Sequence, residues 1–486
     1  MIPNILGIDL GSSGIKLIYS TEEGNSKIRE DYKEVSPNGW YEALCRAAKQ
    51  FDLSAVNAIG FSSQVGTYIV NEKDNISWSA QVGQEELEEV LSLESQEVFL
   101  KEISMPHPHI LSYPLPRLNY FKKKYEMLTD VCMPKDFLIE KLTGNRVSDP
   151  FSWRGLVNLE TGTYSTYLLQ KLGIEESILP SLQKPESVAG FVTEQASKET
   201  GVPTGVPVYV GCNDFFAGLL GMGMIRSGSM FDITGTSEHL GLITDREPDL
   251  QTSVVHGPYF RHHALYGVTA SSGASLKFGK GLWNLNDKTI LNCAKENAPI
   301  FLPYVNGERA PIWDANASGV FFGITSATTH KQMAYAVMEG VAFSLYHIYE
   351  NMGFPEAKQI TIAGGAAKNR LLCKLKASLF DIPVIILEEN DTSALGAQML
   401  AAVGFGGYDR IETAMKENCV RKVFVRPDHE LTETLRRRYE IYKGLYPALK
   451  DSFAEFHTEK QNAESRESNK QIKKKKYKGN NRKKRK

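Results

Sequence analysis

The 486-residue sequence lacks the features that mark several classes of protein. Its six cysteines stand 46 or more residues apart with no Cys-x-x-Cys pair, so no zinc knuckle or redox pair is predicted. No apolar run approaches the roughly 18 residues of a membrane-spanning helix, and no cationic, apolar leader is present. We therefore expect a cytoplasmic protein with reduced cysteines and no membrane partner.

The chain also lacks an excess of charge of either sign. The 56 Lys and Arg residues against 57 Asp and Glu residues give a net charge of -1, which provides no field to recruit nucleic acid. Residues 470–486 hold 11 Lys or Arg and no acid, and removing these charges leaves -12 for the first 469 residues. We expect residues 451–486 to be a disordered basic tail, with at most a weak nucleic-acid contact.

The length and the 42% of hydrophobic residues predict two domains, because one core seldom organises so long a chain. Apolar strands alternate with helical stretches, which predicts an α/β fold. The segment 9–13 after one strand resembles 232–237 after another, which indicates two related halves. We expect domains at 1–227 and 228–450. The predicted strands are 5–10 and 15–19, joined as a hairpin by a Gly/Ser turn, and 58–61, 68–71, 206–210, 229–234, 360–363 and 384–387. The predicted helices are 84–100, 333–351 and 369–380.

The first glycine-rich turn has the composition of a phosphate-binding loop. Gly11, Ser12 and Ser13 follow an apolar strand, and backbone N–H groups and hydroxyls in such a turn can surround a phosphate. Asp9 could hold Mg²⁺ through water, since magnesium favours carboxylate oxygens, and Lys16 would add a positive charge. An ordinary hairpin turn is the alternative for this turn taken alone.

Two further clusters extend the same interpretation. Gly235 and Thr236 repeat the phosphate-type turn in the second half, which weakens the alternative of an ordinary hairpin. Gly364, Gly365 and Asn369 lie where a strand opens into a helix, so that a base or ribose could lie against bare backbone. A plain strand-to-helix turn with small packing residues is the alternative for this third cluster.

Asp214 lies where an apolar strand gives way to a helix. A carboxylate there could accept the proton of a substrate hydroxyl as it attacks phosphorus. Asn213 and Asp214 are equally good helix N-caps, so capping is the alternative that the residues leave open.

These motifs occur in the order seen in the FGGY carbohydrate kinases, and they resemble xylulokinase-like members of that family. The family belongs to the actin-like and sugar-kinase superfamily. Four other stretches are similar to the family's patterns, and the matches together run from residue 5 to 405. These stretches are 133–144, 306–311, 319–324 and 332–339.

The resemblance implies two related actin-like, ribonuclease H-like domains that flank a nucleotide cleft. It implies an ATP-dependent kinase of a small sugar or polyol, with Asp214 as the base and with Asp9 and Mg²⁺ organising the phosphates. The turns at 11–13 and 235–236 would contact those phosphates, and residues 364–369 would lie near the nucleoside. A homodimer is left open, and so is the identity of the sugar.

The sequence departs from the family at the expected sugar end. The family's Gln-Met-His is Gln64-Val65-Gly66 here, and its Trp-x-Asp-x-Arg is reduced to Trp78 followed by Ser-Ala-Gln-Val. These losses make xylulose itself doubtful as the substrate, because sites matched to hydroxyl groups discriminate strongly. Gln64 and Trp78 are predicted sugar contacts, although Trp78 could equally be a packing aromatic. His107 and His109 could replace the missing polar contacts or belong to a surface loop.

Two other functions are weighed against the kinase. One is an actin-like ATP-driven conformational switch, and the other is a catalytically silent sugar sensor. The stretch 319–339 and the Asp214 motif resemble the carbohydrate kinases rather than actin or the chaperones, and Asp214 with both turns argues against a silent protein.

Overall fold

The computed structural model describes residues 3–106, 108, 110–246, 254–283 and 297–483. His107 and His109 lie outside the described residues. No helix within these ranges is long and apolar enough to cross a bilayer. The five cysteines that the structure describes are all free.

The first half of the chain contains a central sheet with helices on it and a smaller group of strands beside it. Its strands are β1 (Ile5–Leu10), β2 (Gly14–Thr21), β3 (Gly24–Asp31), β4 (Ala58–Ser63), β5 (Tyr68–Val70), β6 (Asp74–Ile76), β7 (Val131–Cys132), β8 (Val147–Ser148), β9 (Val157–Asn158), β10 (Thr163–Tyr164), β11 (Ser181–Leu182), β12 (Val188–Phe191) and β13 (Pro207–Asn213). Its helices are α1 (Pro37–Ala48), α2 (Gln84–Ser92), α3 (Gln96–Ile103), α4 (Pro114–Lys124), α5 (Pro134–Thr143), α6 (Thr166–Leu172), α7 (Glu194–Thr200) and α8 (Asp214–Gly221), with a 3₁₀ turn at Glu176–Ile178.

The second half repeats the sheet-and-helix arrangement. Its strands are β14 (Met230–Thr234), β15 (Glu238–Thr244), β16 (Val255–Tyr259), β17 (His262–Val268), β18 (Ile300–Leu302), β19 (Val320–Phe322), β20 (Ile360–Gly364), β21 (Val384–Leu387) and β22 (Arg421–Val425). Its helices are α9 (Ser272–Trp283), α10 (His330–Asn351), α11 (Arg370–Phe380), α12 (Thr392–Gly404), α13 (Ile411–Asn418) and α14 (His429–Lys483), with a 3₁₀ turn at Gly365–Lys368.

The two main sheets share one strand pattern. The first has the order β12-β13-β4-β1-β2-β3, and the second has the order β16-β17-β15-β14-β20-β21-β22. In the first sheet β1 is antiparallel to β2 and parallel to β4, and β4 is parallel to β13. In the second sheet β14, β15, β20 and β21 repeat this relationship. The repeated pattern confirms the predicted α/β fold of two related actin-like domains.

The predicted elements are present with two differences. The stretch 84–100 forms two helices instead of one, because the side chain of Ser95 caps a new helix by accepting from the Val98 N–H at 3.5 Å. The tail that we expect to be disordered is helical as far as Lys483. Its many Lys, Glu, Gln and Arg residues have high helix propensity, although a composition rich in them is also typical of disordered segments.

The two halves meet through a pair of closely packed helices, α8 and α12. A Cβ built on Gly396 of α12 would lie 1.8 Å from the Ala217 carbonyl oxygen of α8, and one on Gly221 would lie 2.0 Å from the Thr392 carbonyl oxygen. On the other side of the interface, the Phe215 ring of α8 lies 4.6 Å from the Tyr266 ring of the second sheet. The glycines therefore set the distance between the two domains.

Replacing Gly221 with Ala tests this contact. The added methyl group would meet backbone, which cannot turn aside as a side chain can, so the free energy of unfolding should fall by about 1–3 kcal/mol. Denaturant unfolding monitored by circular dichroism measures the change. Gly444 of α14 is the matched control, because nothing lies within 4 Å of a Cβ built there. Gly444→Ala should stabilise the protein slightly, and equal stability of the two variants would contradict the proposed contact.

Candidate active site

The predicted catalytic and sugar-binding residues meet at one edge of the first sheet. Parallel strands β1, β4 and β13 end in one paired row, and the next residues along the chain are Gly11, Gln64 and Asp214. Carboxyl ends of parallel strands are where ligands bind in α/β proteins. The register thus brings together three residues that lie up to 203 positions apart in the sequence.

Asp214 is the first residue of α8 and is not its cap. The Asn213 side chain accepts from the Phe216 N–H at 2.9 Å, so Asn213 is the N-cap. The hydroxyl of Ser393, on the helix from the other half, donates to the Asp214 carbonyl oxygen at 2.9 Å. Burial raises the pKa of the Asp214 carboxyl to about 7, and the charge of Asp9 adds to this rise. The Asp214 carboxylate is thereby left available for proton transfer near neutral pH.

Asp9 is buried beside Asp214, in the middle of the sheet edge. Its Oδ1 accepts from the Ser62 hydroxyl at 2.7 Å. Burial raises the pKa of Asp9, while the Ser62 hydrogen bond and the Lys16 charge lower it. Lys16 itself is paired with Asp391, whose carboxylate lies 2.8 Å from the Lys16 ammonium. The residues alone gave no sign that Asp391 takes part of the Lys16 charge.

The residues around Asp9 fit a magnesium ion. No cluster of three or more His, Cys, Asp or Glu that could hold a metal occurs in the part of the chain that the structure describes. Mg²⁺ is usually held by one or two carboxylates together with waters and substrate phosphates, and does not need an all-protein cage. A single buried carboxylate at the end of a strand therefore suits this ion.

The first glycine turn closes on itself and leaves its hydroxyls exposed. The Gly11 N–H donates to the Gly14 carbonyl oxygen at 3.0 Å. Ser12 and Ser13 are both exposed, and the Ser13 hydroxyl accepts from the Arg29 guanidinium at 3.3 Å. Arg29 brings a second positive charge to this turn, in addition to Lys16, and lies outside the motif that predicted it.

The second turn and the third glycine cluster lie side by side in the second half. Thr234 pairs with Gly364 at the ends of β14 and β20, so that Gly235 and Gly365 are neighbours beyond this row. The Thr234 hydroxyl joins the two segments, since it donates to the Ala363 carbonyl oxygen and accepts from the Ala366 N–H, both at 2.9 Å. Thr236 is exposed in the same turn.

A cavity of about 460 Å³ opens beside these turns. Gly235, Gly365 and Asn369, all predicted to bind the nucleotide, line it together with the apolar side chains of Val337 and Met338. The Asn369 side chain caps α11 by accepting from the Leu372 N–H at 3.1 Å. The basic residues of the same cavity are Lys277, Lys280, Lys368 and Arg370. A pocket with both apolar and positively charged side chains suits a nucleobase joined to phosphates.

Each half has an aspartate near the end of the strand before its glycine turn, and the two aspartates have different partners. Asp9 stands two residues before Gly11 and Asp232 three residues before Gly235, so their positions in the strands differ by one residue, and the Lys376 ammonium lies 2.6 Å from the Asp232 Oδ2. Lys376 also pairs with Glu238, which accepts a hydrogen bond from the hydroxyl of Ser272 at the start of α9. The buried Lys376 neutralises the second aspartate, so the acidic group that remains open at a glycine turn is Asp9.

The turn after Gln64 contains a glycine with little room for a side chain. Gly66 has a φ of +80°, and a Cβ built on it would lie 2.9 Å from the Ser112 Cβ. A side chain at this position, such as the imidazole of His, is therefore disfavoured by backbone strain and by crowding against Ser112. Gln64 is buried, and Trp78 is 41% exposed. The backbone N–H of Trp78 donates to the Thr67 hydroxyl at 3.1 Å.

The Arg117 side chain hydrogen-bonds to the backbone of the loop that carries Trp78. This fully buried guanidinium donates to the carbonyl oxygens of Val82 at 3.1 Å, Ser77 at 3.4 Å and Ala80 at 2.8 Å. The Arg117 guanidinium consequently fixes the backbone of the loop, and Trp78 remains 41% exposed on it.

Comparison with known proteins agrees with this geometry. Residues 4–221 match the N-terminal domain of the FGGY family of carbohydrate kinases, and residues 231–405 match its C-terminal domain. The chain belongs to the FGGY family of carbohydrate kinases. As an FGGY kinase it is a phosphotransferase that uses ATP and an alcohol acceptor on a small sugar. The family match favours the kinase over the ATP-driven switch and the silent sensor.

Relatives of this FGGY kinase cover nearly all of its length. The xylulose kinase of Staphylococcus epidermidis is 29% identical over 93% of this chain and 98% of its own, and that of Staphylococcus xylosus is 27% identical over 91% and 99%. The ligand-bound xylulose kinase from Lactobacillus acidophilus has a TM-score of 0.83 at 23% identity, over 93% of this chain and 100% of its own.

The Lys376 cluster of this FGGY kinase can be tested by replacement with Met. Removing the ammonium leaves the Asp232 and Glu238 carboxylates buried without compensation, which should cost about 3–5 kcal/mol of the free energy of unfolding. Lys374→Met on the same helix is the control, because its partly exposed ammonium should contribute less than about 1 kcal/mol. Denaturant unfolding measures both. Similar losses in the two variants would show that Lys376 is not the compensating charge.

Proposed function

We propose that this kinase transfers the γ-phosphoryl group of ATP to a hydroxyl of a small sugar or polyol, with Asp214 as the general base. The position and surroundings of the Asp214 carboxyl carry the proposal. The Asp214 carboxyl lies at the carboxyl edge of the sheet, Asn213 takes over the capping of α8, and burial raises the Asp214 pKa to about 7. We also assign the enzyme to the cytoplasm, where ATP is available.

A base with a pKa near the working pH is suited to this reaction. The ionised carboxylate of Asp214 accepts the proton of the attacking hydroxyl as that oxygen forms a bond to the γ-phosphorus. The bond between the γ-phosphorus and the oxygen that bridges it to the β-phosphate breaks, and ADP leaves with the electron pair. Most of the rate acceleration comes from positioning and charge neutralisation, because the transition state of phosphoryl transfer is loose.

The nucleotide is assigned to the second half and its phosphates to the cleft. The adenine base of ATP would lie in the cavity beside Met338, near Gly365 and Asn369. The turns at 11–13 and 235–236 face the phosphates from the two halves, with backbone N–H groups and hydroxyls as donors. Asp9 would hold Mg²⁺, which when bound neutralises phosphate charge.

The sugar is assigned to the first half, between Asp214 and the ordered loop of Trp78. Gln64 supplies an amide that can donate to one hydroxyl and accept from another. Trp78 supplies an apolar face for the carbon skeleton. The limited room for a side chain at residue 66 is a reason to test sugars other than xylulose.

Asp214→Asn tests the assigned base. With the sugar that supports the fastest ADP release, kcat should fall by about 10²–10⁴-fold, because an amide cannot take the proton. ATP affinity, measured by calorimetry, should stay the same, and so should the thermal midpoint, since Asn213 caps the helix. Residual turnover close to that of the parent enzyme would show that Asp214 is a bystander.

A further inference from the structure

A buried arginine beside the proposed sugar site leaves most of its five N–H donors unused. Arg154 is 93% buried, with a relative exposure of 7%. Its Nη1 donates to the Tyr266 hydroxyl at 2.7 Å, whereas Nε and Nη2 have no hydrogen-bond partner among the residues that the structure describes. The nearby carboxylate of Asp149 is engaged by Lys135 at 3.0 Å and by the Ser152 N–H at 2.9 Å.

The two unused nitrogens form one edge of the guanidinium. Nε–H and Nη2–H point in the same direction and match the two oxygens of a carboxylate, which can accept from both at once. An uncompensated buried cation is costly, so an anion that reaches this edge gains strongly. A neutral hydroxyl oxygen can accept hydrogen bonds here, but it brings no charge to offset the buried cation.

Arg154 lies near the residues to which we assign the sugar. Gly155 packs on Tyr113, since a Cβ built on Gly155 would lie 3.4 Å from the Tyr113 Cγ, and the preceding Ser112 faces Gly66. On the other side, the Tyr266 ring stacks at 4.6 Å on Phe215, the residue after Asp214. Arg154 therefore lies between the turn that follows Gln64 and the segment that carries the base.

A glycine on β16 packs close to this edge. A Cβ built on Gly257 would lie 2.8 Å from the Arg154 Nη2 and 3.6 Å from its Nε, so any side chain at residue 257 would crowd the edge.

We propose that this kinase phosphorylates a sugar acid and that Arg154 binds the carboxylate of the sugar through Nε and Nη2. The proposal rests on the function proposed above and narrows its substrate class. The carboxylate can stand at the first carbon, as in aldonates, or at the last carbon, as in uronates. Arg154 is a binding residue in this account, and proton transfer remains with Asp214.

Direct binding tests the proposal without requiring turnover. The full-length protein with a non-hydrolysable ATP analogue is titrated calorimetrically with aldonates, each paired with the alditol of the same stereochemistry, and with uronates, each paired with its aldose. The best acid should bind at least about 30-fold more tightly than its neutral partner. Arg154→Met should abolish this preference, and Arg154→Lys should keep only part of it, because an ammonium lacks the paired edge.

Tyr266→Phe is the matched control, because it removes only the partner of Nη1 and should keep the preference for the acid within a few-fold. If no acid binds more tightly than its neutral partner, or if Arg154→Met keeps the preference, the proposal is wrong. The parent protein decides the first point even where the Met variant does not fold. ADP release in parallel samples tests the kinase itself, so that acid binding without turnover would reject the proposed function and keep the site.

Discussion

The structure depends on the close contact between α8 and α12. Each helix follows the last parallel strand of its half, and the carbonyl groups of one lie against the glycines of the other. Because Asp214 begins α8 and Ser393 of α12 binds its carbonyl oxygen, the same contact that joins the domains also orients the proposed base. A shift of one helix against the other would move Asp214 relative to the nucleotide turns, which lie partly in the second half.

The two halves share a fold but differ in the charged residues at their glycine turns. Both halves place an aspartate before a glycine turn, but Lys376 neutralises Asp232 and a neutral serine faces Asp9. The first half therefore keeps the acidic groups that we propose to hold a metal and take a proton. The second half contains an apolar and basic cavity, to which we assign the nucleotide. In the proposed mechanism, one architecture thus serves two roles in the two halves.

Much of this arrangement can be predicted from the sequence, because strands, glycine turns and helix starts leave local patterns. Asp9 lies near the end of an apolar strand, and Asp214 and the glycines at 235 and 365 follow apolar strands, which is why their positions at sheet edges are predictable. Ser62, Asp391 and Lys376 are long-range partners whose residue types are ordinary in their own segments. Arg154 cannot be predicted from local patterns either, since only the fold shows that its Nε and Nη2 have no partner among the described residues.

The central claim is that ATP turnover by this protein requires a small sugar with a free hydroxyl. The most direct measurement is ADP release by the purified protein with ATP and Mg²⁺ across ketoses, aldoses, aldonates, uronates and polyols, against a sample without sugar. The account predicts ADP release that depends on one class of sugar and yields one phosphorylated sugar for each ADP. ADP release that is the same with and without every sugar would contradict it.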